Sequence, residues 1–137
     1  MTAERLALLL DWHLTFGHRL RALGPFDASG APRRRAWALL WRHLSGAQRR
    51  DLWWRRHFDV IGSDARRYRL SAVTRAYNVL DVAARVRYCA GPEGVPMGDF
   101  LLGQKLWLEA DAARLLSIAH SGPWDLVPCW NGTRALP

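Results

Sequence analysis

Arginine is the residue type through which this chain could do chemistry most readily. Residues 33–87 contain fourteen arginines and four acidic residues, a net charge of +10, whereas the whole chain carries +8. A guanidinium group offers a planar set of donors that pairs with phosphate or carboxylate oxygens. Tryptophans and tyrosines are interspersed among these arginines, and their rings can stack on flat ligands. This combination favours a surface that binds anionic polymers.

Two kinds of anionic partner fit this composition. The first is DNA or RNA, bound through its phosphates without sequence specificity, because phosphate contacts position a protein without reading bases. The residues expected to make these contacts are Arg33, Arg34, Arg35, Arg49, Arg50, Arg55, Arg56, Arg66, Arg67, Arg69, Arg85 and Arg87. The second is an acidic protein partner, as for a phage or mobile-element factor that docks on a host or virion protein. Its anchors are expected to be Trp53, Trp54, Trp124 and Trp130.

The same residues also have a purely structural explanation. Trp37 and Trp41 lie at the spacing of a helix packing stripe, which favours a role in the core. The arginines of the predicted strands fit a solvated face and a binding surface equally well. Whether Arg67, Arg69, Arg85 and Arg87 share one face depends on strand register, which the sequence does not fix.

Residue types used in catalysis and metal binding are present, but they are not grouped. His57, Cys89, His120 and Cys129 show none of the short spacings typical of a zinc site. Cys89 would need His57 or His120 as a base to act as a nucleophile, and a small buried thiol is the more usual state of a lone cysteine. We therefore expect no metal site, no cofactor and no enzymatic activity.

One further set superficially resembles the acidic and lysine residues of metal-dependent nucleases. It consists of Asp99, Gln104, Lys105 and Glu109. In those enzymes the carboxylates and the lysine converge on a metal from neighbouring strands. Here the residues lie along one predicted helix, and this favours a solvated helix face instead.

Hydrophobic periodicity indicates the elements that must position these residues. Apolar residues at three-and-four spacing predict a helix over residues 3–23 and a second one beginning at Pro32. Ser45 and Gln48 have the spacing of a capping box that begins a third. Alternation predicts three or four antiparallel strands between residues 58 and 89. Apolar residues at helical spacing then predict a helix from Pro96 to about residue 120, with a break near Glu109-Ala110-Asp111. We predict an α+β fold with N-terminal helices, a small antiparallel β-meander and a C-terminal helix packed on the sheet.

The length of 137 residues is that of one domain. We expect a helical part over residues 3–57, the meander and helix over 58–120, and an irregular tail over 121–137. No stretch reaches the length of a membrane span, no signal peptide is visible, and two cysteines cannot form a disulfide framework. These features favour a cytoplasmic protein that does not associate with a membrane.

Short motifs within residues 36–120 form a recognisable series. In order they are Leu44-Ser45-x-x-Gln48, Phe58-x-Val60-x-Gly62, Tyr68-Arg69-Leu70, Asn78-Val79, Cys89-Ala90, Pro92, Pro96 and Asp99-x-x-Leu102-x-Gln104-Lys105-Leu106-x-Leu108-Glu109. This series resembles a family of small uncharacterised proteins found in phages and high-GC bacterial genomes. The resemblance implies a compact helix–sheet–helix unit and a mobile-element origin. It says nothing about catalysis.

Overall fold

The computed structural model describes residues 2–16, 30–124, 126–129 and 132–135. Its helices are α1 (Ala3–Asp11), a π-helical segment (Trp12–Phe16), α2 (Ala31–His43), α3 (Gly46–Arg55) and α4 (Met97–Ile118). Its strands are β1 (His57–Ile61), β2 (Arg67–Ser71), β3 (Val79–Asp81), β4 (Val86–Cys89), β5 (His120–Pro123), β6 (Leu126–Cys129) and β7 (Gly132–Ala135). The first five strands form one antiparallel sheet in sequence order, and β6 pairs with β7. The predicted α+β class is confirmed.

Local capping interactions begin the N-terminal helices. The Thr2 hydroxyl accepts a hydrogen bond from the Arg5 N–H at the start of α1. At the start of α3, Ser45 and Gln48 form the predicted reciprocal capping box, with distances of 3.0 and 3.2 Å. The helix predicted over residues 3–23 is α-helical only to Asp11 and continues as the π-helical segment to Phe16. Its predicted remainder falls in residues 17–29, outside the described part of the chain.

The sheet has one buried face and one open face. Phe58, Val60, Tyr68, Leu70 and Val79 point to the buried face and are each at most 1 % exposed. They pack in one core cluster with apolar residues of the helices, so the helices cover this side of the sheet. The residues between them in each strand point to the opposite side of the sheet, which we call the open face.

Helix α4 approaches α2 closely because of a glycine. A Cβ atom at Gly98 would lie only 2.5 Å from the Ala36 carbonyl carbon and 2.7 Å from the Trp37 nitrogen. Gln104, one and a half turns further along α4, exchanges two hydrogen bonds with Asn78 at 2.7 and 2.9 Å. Both amides are fully buried, so this exchange satisfies polar groups that would otherwise destabilise the core.

The predicted break in α4 lies at Asp111, whose backbone is non-helical. Asp111 accepts a hydrogen bond from the Arg114 N–H, as an N-cap does for a new helix. Ser63, in the turn between β1 and β2, bonds both sides of the break. Its N–H donates to the Leu108 carbonyl at 2.9 Å, and its hydroxyl accepts from the Ala112 N–H at 2.8 Å. The break therefore docks the β1–β2 turn onto the helix.

The C-terminal part contains strands where we expected an irregular tail. Residues 120–123 pair with β4, which adds a fifth strand to the three or four predicted. Their sequence, His-Ser-Gly-Pro, lacks the β-branched residues that indicate a strand. Pro123 is tolerated because β5 is an edge strand of the sheet.

Candidate nucleic-acid-binding surface

Strand register brings three of the predicted arginines to the open face. Arg67 and Arg69 lie on β2, and Arg87 lies on β4. Leu80 pairs with Arg69 on one side and with Arg87 on the other. Because neighbouring strands lie about 4.8 Å apart, the backbones of Arg69 and Arg87 are roughly 10 Å apart across the open face. We call Arg67, Arg69 and Arg87 the sheet arginines.

One carboxylate faces two of these sheet arginines. Asp59, opposite Arg69 on β1, accepts hydrogen bonds from its Nε at 2.9 Å and from its Nη2 at 3.2 Å. Arg67 Nη1 lies 3.9 Å from the second oxygen of the same carboxylate. The side-chain bond to Asp59 raises the pKa of Arg69. Two positive charges therefore share one negative charge.

Arg87 is held by backbone carbonyls rather than by a carboxylate. Its Nε donates to the Trp124 carbonyl at 2.7 Å, and its Nη1 to the Tyr77 carbonyl at 3.4 Å. Partial burial lowers the pKa of Arg87 from its ordinary value. The carbonyls fix the direction of this guanidinium, and no described carboxylate forms an ion pair with it.

Arg85 lies in the turn before β4, at the edge of the open face and outside the strands that carry the other three. Its backbone has a positive φ of 57°, and its N–H donates to the Asp81 carbonyl. Its guanidinium lies over the Trp124 ring, 4.8 Å from the ring centre. Val86 and Pro123 are cross-strand partners, so Arg85 and Trp124 are the next residues outward on the two strands.

Two predicted contact residues form ion pairs with buried carboxylates. Arg33 is 6 % exposed, and its Nη2 lies 3.1 Å from a carboxylate oxygen of Asp11 on α1. Arg66 Nη1 lies 2.8 Å from an oxygen of Asp81, which is fully buried. These two guanidinium groups compensate carboxylates that would be costly to bury alone.

Several of the arginines on α2 and α3 are exposed. Within the described residues, no carboxylate lies within ion-pair distance of them. We call the four most exposed ones the helix arginines: Arg35, Arg42, Arg50 and Arg55. Arg42 was not among the expected contact residues, although its spacing of seven residues from Arg35 indicates that the two share one side of α2.

Arg34 and Arg49 are half-buried beside these helix arginines. Arg49 crosses from α3 to the end of α2, where its Nε donates to the Trp41 carbonyl at 2.8 Å. Its guanidinium also lies 5.7 Å from the centre of the Trp41 ring. A cation at this point interacts favourably with the negative end of the α2 dipole. Stability alone therefore explains Arg49.

Arg56 belongs to an interior cluster. Its Nη1 lies 2.9 Å from His13 Nε2 and also donates to the Trp53 carbonyl. The His13 ring is stacked on Trp53 with 3.7 Å between ring centres, and Trp53 meets Trp41 edge-on. Burial lowers the pKa of Arg56 from its ordinary value. This cluster joins the π-helical segment to α3.

The four predicted tryptophan anchors differ in exposure. Trp54 is 74 % exposed on α3 and Trp124 is 48 % exposed after β5. Trp53 packs against the core instead. Trp130 lies outside the described residues.

His57 extends the open face toward α3. Burial, then the positive charge of Arg69, lowers the pKa of His57, so its charged form is disfavoured. Its Nδ1 is buried and has no hydrogen-bond partner among the described residues. The charged neighbours Asp51 and Arg55 of α3 also act on this ring.

The candidate catalytic residues are partly brought together. Cys89, a free half-buried thiol, is the cross-strand partner of His120, whereas His57 lies on β1, three strands away. No hydrogen bond joins Cys89 to His120 in the described structure. Lys105 pairs with Glu109 at 2.7 Å along α4. The described residues include no group of three or more histidine, cysteine or acidic side chains arranged to hold a metal ion.

Comparison of the chain with protein-family models, with curated proteins and with solved structures found no match. Among the described helices, none has the length and apolar character needed to cross a membrane.

Proposed function

We propose that the protein is a non-enzymatic binding module that associates with DNA or RNA through the arginines of residues 33–87. One observation carries this proposal. In the described structure, the acidic residues of this region pair with only a minority of its arginines. The helix arginines, together with Arg85 and Arg87, lie beyond 4.0 Å from any described carboxylate.

Three of the four acidic residues of this region already have partners, and the fourth, Asp51, forms no ion pair with a described residue. Asp59 serves both Arg67 and Arg69, and Asp81 serves Arg66. Asp64 accepts the Tyr68 hydroxyl at 2.5 Å. The remaining positive charges repel one another in the free protein, and a polyanion relieves this repulsion while releasing its condensed counterions. The backbone of a nucleic acid supplies such a polyanion.

The start of α2 adds an energetic argument. Arg34 lies in the first turn of α2, which contains no acidic residue. The positive end of the helix dipole disfavours a cation there, so helix stability does not explain this residue. An anionic ligand would reverse the sign of that interaction.

The test is a mobility-shift or filter-binding titration at several salt concentrations. Binding is expected to weaken steeply with salt, because each neutralised phosphate contributes about −0.7 to −0.9 to the slope of log K against log salt. The double variant Arg50→Gln/Arg55→Gln is expected to reduce that slope by up to about 2.

A matched control changes the same amount of charge elsewhere. Arg5 and Arg114 are exposed and lie outside residues 33–87. The double variant Arg5→Gln/Arg114→Gln is expected to keep the wild-type slope. If the protein fails to bind nucleic acid at low salt, or binds with no salt dependence, the proposal is wrong.

An acidic protein surface is the alternative ligand, since arginine also forms two-point pairs with carboxylates. The exposure of Trp54 and Trp124 favours it, because exposed tryptophans are common anchors of protein interfaces. A competition experiment distinguishes a nucleic-acid ligand from an acidic protein ligand. Polyglutamate should displace the ligand as efficiently as a nucleic acid of equal charge if the site is built for carboxylates, and far less efficiently if phosphates and bases are recognised.

A further inference from the structure

The edge of the open face combines an exposed ring with fixed cations. Trp124 follows β5 directly, and 48 % of its surface is exposed. Its carbonyl accepts the hydrogen bond from Arg87, and its ring carries the Arg85 guanidinium on one face at 4.8 Å. Leaving half of an indole in water gives up hydrophobic stabilisation that burial would provide. Arg85 therefore occupies one face of the ring, while about half of the residue stays exposed.

The cations beside this ring have no carboxylate partner among the described residues. Arg85 is exposed and forms no ion pair with any described residue, and Arg87 has only carbonyl acceptors. Partial burial lowers the pKa of Arg87, because desolvation disfavours its charged form. A phosphate at this edge would compensate it.

A nucleotide fits both features, because its flat base stacks on an aromatic ring and its phosphate pairs with guanidinium groups. A base in a duplex is stacked between its neighbours and cannot offer its π-face to a side chain, whereas an unpaired base can. Duplexes are bound through backbone and groove contacts, in which an exposed ring at a sheet edge has no role. The open face of the antiparallel sheet provides a surface along which the nucleic-acid strand would continue past Arg69 and Arg67.

We infer that the protein binds single-stranded nucleic acid in preference to duplex, with Trp124 stacking on an unpaired base and Arg85 and Arg87 contacting its phosphates. This inference rests on the proposed function and narrows it to one class of nucleic acid. The chemistry is shared by DNA and RNA strands, so the experiment includes both.

The experiment compares the full chain on labelled dT20, on rU20 and on a mixed-sequence 20-base-pair duplex, at two salt concentrations. The single strands are expected to bind at least tenfold more tightly than the duplex. Trp124→Leu is expected to weaken single-strand binding by about 5- to 150-fold, the range observed for loss of one stacked base, and to leave duplex binding unchanged. Trp124→Phe is expected to restore most of the loss, since phenylalanine also stacks.

Trp54→Leu is the matched control. Trp54 is more exposed than Trp124 but lies on α3, and no ring or cation contact to it is described. Its replacement is expected to change single-strand affinity less than twofold. A second variant, Arg85→Gln, keeps the indole, so it tests the site even if Trp124→Leu unfolds; it is expected to reduce the salt slope on single strands by about 0.7.

The outcomes separate the two claims. Equal affinity for single strands and duplex, or equal losses in Trp124→Leu and Trp54→Leu, would overturn the single-strand inference while leaving salt-dependent binding intact. Absence of binding to all three nucleic acids would overturn the proposed function as well.

Discussion

Arg69 and Asp59 face each other across the β1–β2 ladder and form a two-point ion pair with N–O distances of 2.9 and 3.2 Å. Asp59 also approaches Arg67. It is therefore the residue that most reduces the positive charge of the open face. Its removal should change ligand binding and protein stability in opposite directions.

We predict that Asp59→Asn strengthens nucleic-acid binding. The substitution keeps the size of the side chain and releases the charges of Arg67 and Arg69, so the slope of log K against log salt should steepen by about 1. The pair is partly exposed, with 37 % and 25 % of the two side chains accessible, so its loss should lower the free energy of unfolding by no more than about 1 kcal/mol. Salt-dependent titration and urea unfolding measure the two effects.

The control is Asp111→Asn, which removes one negative charge from α4. Asn caps a helix as well as Asp does, so the hydrogen bond to the Arg114 N–H is retained. This variant should bind as the wild type does. Equal strengthening in both variants would mean that net charge, and not the open face, controls affinity.

A second prediction concerns the start of α2. Arg34→Glu replaces a cation by an anion in the first turn, where the helix dipole favours negative charge. The free energy of unfolding should rise by about 0.3–1 kcal/mol, while nucleic-acid affinity falls. A thermal melt and a binding titration on the same preparation test this prediction.

Arg114→Glu is the matched control for this prediction. Residue 114 lies three positions after the Asp111 cap, so the substitution makes the same charge change near a helix start. The free energy of unfolding of this variant should rise by a similar amount, and its affinity for nucleic acid should be unchanged. If Arg34→Glu binds as tightly as Arg114→Glu, Arg34 is not part of the binding surface.

Local sequence signals predicted the helices and strands that carry most of the candidate site residues. The capping box of Ser45 and Gln48, the alternation in β1 and β2, and the break in α4 each depend on residues close in sequence. Strand β5 was not predicted because its residues carry no strand signal. It forms because β4 has an edge available for pairing.

Charge compensation was not predictable for a related reason. Asp11 and Arg33 are 22 residues apart in sequence, and Asp81 and Arg66 are 15 apart. The sequence composition therefore predicted Arg33 and Arg66 as ligand-contacting cations and gave no sign of their carboxylate partners. Tertiary packing and strand register decide which arginines find a carboxylate, and neither is encoded by spacing along one element.

The third prediction tests the contact between α2 and α4. Gly98→Ala would bring a methyl group to 2.6 Å from the Ala36 carbonyl oxygen, which belongs to the α2 backbone and cannot rotate away. The helices must separate, and the free energy of unfolding should fall by roughly 1–3 kcal/mol or more. Urea denaturation followed by circular dichroism measures it.

Gly46→Ala provides the comparison for Gly98→Ala. A Cβ at Gly46, the first residue of α3, meets no atom within 4 Å. Alanine there reduces the flexibility of the unfolded chain, so stability should be unchanged or higher by up to about 1 kcal/mol. Equal destabilisation by both substitutions would show that close helix approach is not the reason.

The last prediction uses the hydrogen bond from the Tyr68 hydroxyl to Asp64. Desolvation alone would raise the pKa of Asp64, but the bonds from Tyr68 and from the Arg66 N–H outweigh it, and the pKa lies below the ordinary 3.8. The stabilisation is therefore complete above the unfolded-state pKa and is lost as pH falls through the folded-state value. Tyr68→Phe keeps the buried ring and should cost about 1 kcal/mol between pH 5 and 8.

Below about pH 4 the stability cost of Tyr68→Phe should shrink. Asp64 becomes protonated there, so the wild type also loses the stabilisation that the charged carboxylate gains from the Tyr68 hydroxyl. Urea unfolding at a series of pH values measures the difference between the two proteins. Tyr88→Phe is the control, since no hydrogen bond of the Tyr88 hydroxyl to a described residue is present and its effect should not vary with pH. A Tyr68→Phe cost that stays constant down to pH 2 would mean that the hydroxyl stabilises the fold without acting on the Asp64 carboxylate.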